Sequence, residues 1–217
     1  MPIVNRPDVA LDQGSRAWLG IISTRPDQRH CGFIYDVDGE RRLLHLAFHH
    51  MLLDEVYAND YWWSPVGLDV DNQYALAAIV STIANGSARV PYGFDLGGIV
   101  FDKGTGAILQ PPPGSGLTCA TFVLSVFATY GFVPLAVETW PIRPGDLAWQ
   151  DSMIAFMRGH GVPEDHISAI RSKPASSRFR PEEVVGGGVT DSAEWQIAFQ
   201  RAEEIARQVL ADMGVAA

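Results

Sequence analysis

The feature that most restricts the fold of this chain is an apolar stretch near its middle, CATFVLSVFATYG, residues 119 to 131. Its apolar residues recur at steps of three and four, which predicts a helix that begins after Thr118 and ends at Gly131. One face of this helix is apolar throughout, so the helix has to lie at the centre of a domain. Its first turn contains Cys119, and the position of that thiol has to be explained.

The segments before this helix predict an antiparallel sheet and a second helix. Residues 17 to 47 form three runs rich in β-branched and aromatic residues, and Asp38-Gly39 is typical of a hairpin turn, which predicts a three-stranded meander. Residues 71 to 85 have helical spacing, with Asp71 as a candidate N-cap. The following residues, 88 to 113, predict a loop region. The expected fold class is therefore α+β.

The chain has 217 residues, 47% of them hydrophobic and 19% charged, which is typical of a globular protein. We expect a core domain at residues 1 to 145 and a helical C-terminal extension at 146 to 217 that packs on it. In the extension, short helices are predicted at 153 to 157 and 163 to 170.

The last part of the extension predicts a link followed by a long helix. A proline- and serine-rich segment reads as the link, and the glycines at 186 to 188 come next, before the last predicted helix. The final helix is expected from Asp191 to Met213, opening with a capping pattern formed by Asp191 and Glu194. Its apolar stripe predicts packing on the core, and it is also the candidate surface for a homodimer.

The formal net charge of −9, without a local basic stripe, argues against a nucleic-acid partner. The sequence shows neither a secretory signal nor an apolar run as long as a membrane span, so we predict a cytoplasmic protein with no membrane partner. Export without an N-terminal signal stays open. Two cysteines, Cys31 and Cys119, are too few for a disulfide scaffold.

A cysteine in the first turn of a helix lies beside unpaired backbone N–H groups and the positive end of the helix dipole. Both favour the thiolate, and the same N–H groups can donate to the oxyanion that forms when a thiolate attacks a carbonyl. Two histidines on consecutive predicted strands, His30 and His45, can meet if they share a face of the hairpin. One can then act as a general base and the other can orient it.

These segments, in this order, resemble the circularly permuted branch of the NlpC-type, papain-like cysteine hydrolases, which includes lecithin retinol acyltransferase-like proteins and YiiX-like amidases. The resemblance is carried by RHCGFIYDVDGERRLLHLA at 29 to 47, VPYGFDLGG at 90 to 98 and GLTCATFVLSVFATYGF at 116 to 132. It covers about residues 17 to 135. In that branch the histidine strands precede the cysteine helix, as they do here.

The resemblance implies a permuted papain-like domain whose small sheet packs against the cysteine helix. It further implies a hydrolase that cleaves an amide or peptide bond, including isopeptide or cell-wall peptide bonds, through a thioester and without a cofactor or metal. Acyl transfer from the same thioester is the nearest alternative. Cys119 would be the nucleophile, His30 the base and His45 the orienting residue. Tyr92 and Thr118 are candidates for oxyanion support, and Gly116, Trp62 and Trp63 are candidates for substrate binding.

Three other interpretations stay open. In an unpermuted chain, RPGDLAW at 143 to 149 would be a strand, and His160 or His166 would be the base. A metal site would use side chains that zinc prefers. Its candidate ligands are Cys31, His45, His49 and His50. A binding module that keeps the fold without turnover would explain Thr118, where the family usually has an asparagine or aspartate, and the long helical tail.

Overall fold

A computed structural model describes residues 2–86, 88–96, 99–109 and 111–215. The fold is α+β, as predicted, with a five-stranded antiparallel sheet and six helices. The strands are β1 (Ala17–Arg25), β2 (Gln28–Val37), β3 (Glu40–Phe48), β4 (Met51–Val56) and β5 (Trp62–Pro65). The helices are α1 (Val70–Asn85), α2 (Cys119–Thr129), α3 (Asp146–Gly159), α4 (Glu164–Arg171), α5 (Pro181–Val189) and α6 (Phe199–Asp212).

The sheet has the strand order β4-β3-β2-β1-β5, and every neighbouring pair is antiparallel. The predicted meander is confirmed as β1, β2 and β3. Its second turn lies at Asp38-Gly39, where both residues have positive φ, 56° and 84°. The sequence prediction missed β4 and β5, which extend the meander on its two edges.

The main core lies between one face of the sheet and four helices, α1, α2, α5 and α6. Helix α2 is almost completely buried, as its apolar pattern predicted. Phe122 and Phe127 both pack edge-on against Phe33 of β2. The opposite face of the sheet carries a smaller cluster centred on Trp18 and Ile34. Helices α3 and α4 pack around Tyr92 and Phe94 in a third cluster.

Helix α1 begins slightly earlier than the sequence prediction placed it. The N-cap is Asp69, whose side chain accepts a hydrogen bond from the N–H of Asn72, whereas Asp71 lies in the first turn. The prediction chose the wrong one of two nearby aspartates, since both fit the local pattern. Within the part of the chain that the structure describes, no helix has the length and apolar character needed to cross a membrane.

The sequence predicted no helix at the glycines 186 to 188, but these residues lie in the buried helix α5. They allow close packing: a Cβ on Gly186 would lie 2.6 Å from Ile205 of α6, and one on Gly188 would lie 2.5 Å from Leu19 of β1. Helix α5 therefore belongs to the main core. Glycine lowers helix propensity, so the local sequence argued against an element that tertiary packing requires.

The predicted final helix is also corrected. Asp191 caps only a short 3₁₀ turn, Ser192–Glu194, and the chain is extended before α6 begins at Phe199. The apolar stripe of α6 faces α5 and the main core, where Ile205 and Val209 are buried. The homodimer remains a prediction.

Candidate active site

Cys119 is the first residue of α2, and a capping box fixes this end of the helix. The Thr118 hydroxyl accepts a hydrogen bond from the N–H of Thr121, and the Thr121 hydroxyl accepts one from the N–H of Thr118. First-turn N–H groups have no acceptor within the helix, so those of Cys119 and Ala120 can donate to a ligand. The sulfur therefore lies at the positive end of a rigid, buried helix.

The two predicted histidines lie on the same face of the sheet, as diagonal neighbours on β2 and β3. The β2–β3 pairing starts at Phe33–Leu44, so it stops before the end of β2 that carries His30. Gly32 lies across from His45, where a Cβ would come within 2.7 Å of the Cβ of His45. Because Gly32 has no side chain, the His45 ring can reach His30, and the ring centroids are 4.9 Å apart.

A chain of hydrogen bonds runs from His30 through His45 to a carboxylate. Nε2 of His30 lies 2.7 Å from Nδ1 of His45, and Nε2 of His45 lies 3.3 Å from Oε2 of Glu55 on β4. A carboxylate only accepts hydrogen bonds, so His45 donates from Nε2, and its Nδ1 accepts from His30. Nδ1 of His30 is then the ring nitrogen available to Cys119.

The electrostatics of Cys119 and His30 favour an ion pair. Hydrogen bonding from the Cys31 thiol is the largest influence that lowers the pKa of Cys119; burial opposes it, and His30 adds to it, leaving that pKa well below the ordinary value. For His30, burial works against protonation, but Cys119 outweighs it and the pKa is raised. Burial and the neighbouring His30 lower the pKa of His45, which keeps this ring neutral.

Cys31 is the second thiol of the site, and it lies on the opposite face of β2 from His30, as predicted. It is completely buried in the main core. Its hydrogen bond to Cys119, together with burial, raises its pKa well above the ordinary value. The proton of this thiol pair therefore stays on Cys31, and the negative charge is on Cys119.

Cys119 and His30 open onto a cavity of about 660 Å³. One wall is formed by the end of the β1–β2 hairpin, residues 24 to 30, and by the residues that follow His45 on β3. The opposite wall is a face of α3 that includes Trp149, Met153 and Phe156, and a segment around Arg178. The cavity is thus assembled from the predicted core domain and from the predicted C-terminal extension.

Tyr92 and Thr118 also line this cavity. Burial and the negative charge of Cys119 raise the pKa of Tyr92, so its hydroxyl stays protonated and can donate. Thr118 acts mainly as the cap of α2. Gly116 is not among the lining residues: it lies against the backbone of Tyr92 and Gly93, where a Cβ would come within 2.5 Å of the Gly93 nitrogen.

Trp62 and Trp63, the other two candidates for substrate binding, lie in strand β5. Trp63 belongs to the cluster on the opposite face of the sheet, and its Nε1 donates to the carbonyl of Val9 at 3.0 Å. Trp62 packs against the main core. Neither tryptophan lines the cavity that contains Cys119. The structure gives both of them packing roles.

The histidines of the unpermuted interpretation lie elsewhere. His160 ends α3 and His166 lies on α4, and neither lines the cavity. His166 Nε2 donates to the carbonyl of Tyr92 at 2.9 Å. The segment 143 to 149, which that interpretation requires as a strand, contains the start of α3. The structure thus brings His30 to Cys119, and not His160 or His166.

His49, His50 and His166 form a second histidine cluster beside the β3–β4 turn. The His49 ring lies 3.9 Å from that of His50 and 4.8 Å from that of His166. His45 and Cys31, the other candidate ligands of the metal interpretation, are not part of this cluster. Across residues 2–86, 88–96, 99–109 and 111–215, no group of three or more histidine, cysteine, aspartate and glutamate side chains is placed to hold a metal ion.

The sequence analysis missed Glu55 and the cavity wall formed by α3 and Arg178. Glu55 is on β4, two residues beyond the partner of His45, Leu53, and on the same face. Alternation along residues 51 to 56 would have indicated it, once β4 had been recognised as a strand. Residues 90 to 98 carry part of the family resemblance, and two of them, Gly97 and Gly98, lie outside the described residues.

In comparisons with protein-family models, with curated proteins and with solved structures, the chain has no match.

Proposed function

We propose that this protein is a thiol hydrolase that cleaves an amide or related acyl bond through a thioester on Cys119. The proposal includes the permuted papain-like arrangement, with the histidine strands ahead of the cysteine helix. One observation carries it: Cys119 and His30 line the same open cavity and shift each other's pKa, and hydrogen bonds join His30 to His45 and His45 to Glu55. Nucleophile, base and orienting group are the parts that covalent acyl chemistry needs.

In the proposed acylation step, the Cys119 thiolate attacks the carbonyl carbon and a C–S bond forms. The oxyanion accepts hydrogen bonds from the N–H groups of Cys119 and Ala120, and the Tyr92 hydroxyl is positioned to add a third. The proton on Nδ1 of His30 moves to the leaving nitrogen as the C–N bond breaks. The amine departs, and the acyl group remains on Cys119 as a thioester.

In the proposed deacylation step, neutral His30 takes a proton from water through Nδ1 as the water oxygen attacks the thioester carbonyl. The C–S bond breaks, which regenerates the Cys119 thiolate and releases a carboxylic acid. His45 accepts a hydrogen bond from Nε2 of His30 and so holds that ring in place. Nδ1 of His30 therefore stays directed at the sulfur. An amine or hydroxyl in place of water would give an acyl transfer product instead.

The test is the rate at which iodoacetamide labels Cys119 and Cys31 across a pH series, measured by peptide mass spectrometry. We expect Cys119 to react faster than Cys31, with a pH midpoint well below the value of about 8.5 of a free thiol. In His30→Gln the midpoint should rise. A midpoint for Cys119 at the free-thiol value would contradict the proposal and would favour the binding module.

Substrate is then sought by incubating the wild-type protein with pools of acyl amides and stopping the reaction in acid. An acyl mass increase on Cys119, absent from Cys119→Ser, supports the covalent step. The products distinguish hydrolysis, which releases a free acid, from transfer, which gives a new amide or ester.

A further inference from the structure

The cavity beside Cys119 contains a positive charge that the reaction above does not use. Arg178 lines the cavity, and its guanidinium lies over the ring of Trp149 on α3, 4.2 Å from the ring centroid. Stacking of this kind holds the guanidinium plane in place and leaves its N–H groups at the edges free to donate. The side chain is half-buried, so the surrounding solvent screens its charge only in part.

Among the described residues, the Arg178 side chain has neither a hydrogen-bond partner nor an ion-pair partner. The nearby carboxylates are already engaged by other arginines. Glu182 pairs with Arg29 at 3.2 Å, and Asp146 pairs with Arg143 at 3.5 Å. Burial, followed by the charge of Arg180, lowers the pKa of Arg178, and the charges of Glu182 and Asp146 offset this only in part. A half-buried cation that is left unpaired in a cavity indicates an anionic ligand.

Arg178 is also close to the chemistry. The charge of Cys119 and the charge of Arg178 act on the same group, the Tyr92 hydroxyl, in opposite directions. An anion that contacts Arg178 would therefore lie near the scissile bond. The other charged side chains on that wall do not compete: Arg25 and Asp27 are exposed at the rim, and Arg29 is held by Glu182.

On the α3 side the cavity wall is mainly apolar. Trp149, Met153 and Phe156 follow one another on one face of α3 at steps of three and four, and Phe48 and Tyr92 continue this surface. A single unpaired guanidinium matches a single negative charge, and its planar fork fits a carboxylate through two parallel hydrogen bonds.

We propose that the substrate is an amide that carries a carboxylate near the scissile bond, bound by Arg178, together with an apolar group that packs against α3. N-acyl amino acids and the C-terminal ends of peptides belong to this class. The proposal rests on the function proposed for Cys119, and it adds the chemical identity of what that thiol attacks.

The test compares two alkylating reagents of similar size, neutral iodoacetamide and anionic iodoacetate, on the intact protein. The quantity measured is the ratio of their rates at Cys119, since a ratio cancels changes in the reactivity of the thiol itself. We expect Arg178→Gln to lower the iodoacetate-to-iodoacetamide ratio by about tenfold, the range of a lost charge-assisted hydrogen bond. Arg178→Lys should retain part of the preference, because it keeps the charge but loses the planar fork.

The matched control is Arg207→Gln, which removes the same charge from the exposed face of α6 and should leave the ratio unchanged. An equal ratio in the wild type and in Arg178→Gln, with fast labelling by iodoacetamide, would overturn the inference and leave the proposed function standing. If neither reagent labels Cys119 faster than Cys31, the proposed function fails and the inference fails with it. Thermal unfolding of Arg178→Lys and Arg178→Gln checks that both variants are folded.

Discussion

The protein has two histidine clusters, His30 with His45 and His49 with His50 and His166, and the pKa values of His30 and His49 are shifted in opposite directions. In the first, His30 lies beside Cys119, and its pKa is raised. In the second, burial, then His50, His166 and Arg89, lower the pKa of His49 to about 4. The difference is the presence of an anion. A buried imidazole becomes a stable cation only where a neighbouring group carries the opposite charge.

The same comparison explains why the first cluster suits proton transfer and the second suits structure. His30 lies beside the sulfur of Cys119 and is held by His45, which in turn contacts Glu55. His49 accepts a hydrogen bond from the backbone N–H of Tyr92, and His166 donates one to its carbonyl. The second cluster therefore holds the segment that carries Tyr92 in place.

The largest effect is expected from removing the base. His30→Gln should reduce turnover by about 10²- to 10⁴-fold, the usual range for a positioned general acid–base group. The matched change in the second cluster is His50→Asn, because asparagine tolerates the positive φ of 59° at this position. The steady-state rate of His30→Gln should therefore be lower than that of His50→Asn by about this factor. Equal losses would show that the two clusters do not differ in function.

Removing the orienting ring should have a smaller effect. His45→Ala removes the acceptor for Nε2 of His30, and hydrogen bonds to charged groups contribute about 1.5–3 kcal/mol. The expected loss in turnover is thus about 10- to 100-fold, with the iodoacetamide midpoint of Cys119 shifted upwards. A rate equal to that of the wild type would remove His45 from the account.

The pH dependence of turnover should show two limbs set by the first cluster. Activity requires Cys119 as thiolate and His30 protonated. The pKa of Cys119 is lowered, so the acid limb lies below that of a free thiol. The pKa of His30 is raised, so the alkaline limb lies above that of a free imidazole. A single rising limb near the free-thiol pKa would contradict the ion pair.

Glu55 is expected to matter less, since 58% of its side chain is exposed. Glu55→Gln keeps a hydrogen-bond acceptor and removes the charge, so turnover should fall by less than about fivefold. Measuring Glu55→Gln in the His45→Ala background tests whether Glu55 acts through His45. Additive losses would show that it does not.

The smallest effect concerns stability and the second cluster. The unfolded chain binds a proton at His49 near pH 6.5, and the folded protein does so only near pH 4. The free energy of unfolding should therefore fall as pH drops through this window. His49→Asn retains an acceptor for the Tyr92 N–H and should make the free energy of unfolding fall less as the pH drops. The difference should be about 1 kcal/mol or less, because solvent screens a partly exposed ring. Urea unfolding at several pH values measures it, and an unchanged slope would contradict the assignment.

Local patterns predicted the parts of the fold and site that depend on neighbours in sequence. The period of α2, the Asp38-Gly39 turn and the alternation that puts His30 and His45 on one face can each be read from a single short segment. The N-terminal position of Cys119 follows from the start of its helix. These features made Cys119, His30 and His45 candidates, and only the family resemblance assigned them to one site.

The parts that the sequence did not predict depend on contacts between distant segments. Glu55 reaches His45 only through the pairing of β3 with β4, and Arg178 enters the cavity only because α3 and the following segment return to the sheet. Helix α5 forms because its three glycines at 186 to 188 allow tight packing, although glycine has a low helix propensity. Such features are properties of the assembled core.

The central claim is that Cys119 is a thiolate beside a protonated His30 at neutral pH. The most direct measurement is the thiolate absorbance in the ultraviolet, recorded as a pH titration of the wild type minus Cys119→Ser, and repeated in the His30→Gln background. The account predicts a thiolate signal that appears well below the ordinary thiol pKa of about 8.5. The midpoint of this signal should rise in the His30→Gln background. A signal that appears only near that value, in both backgrounds, would contradict it.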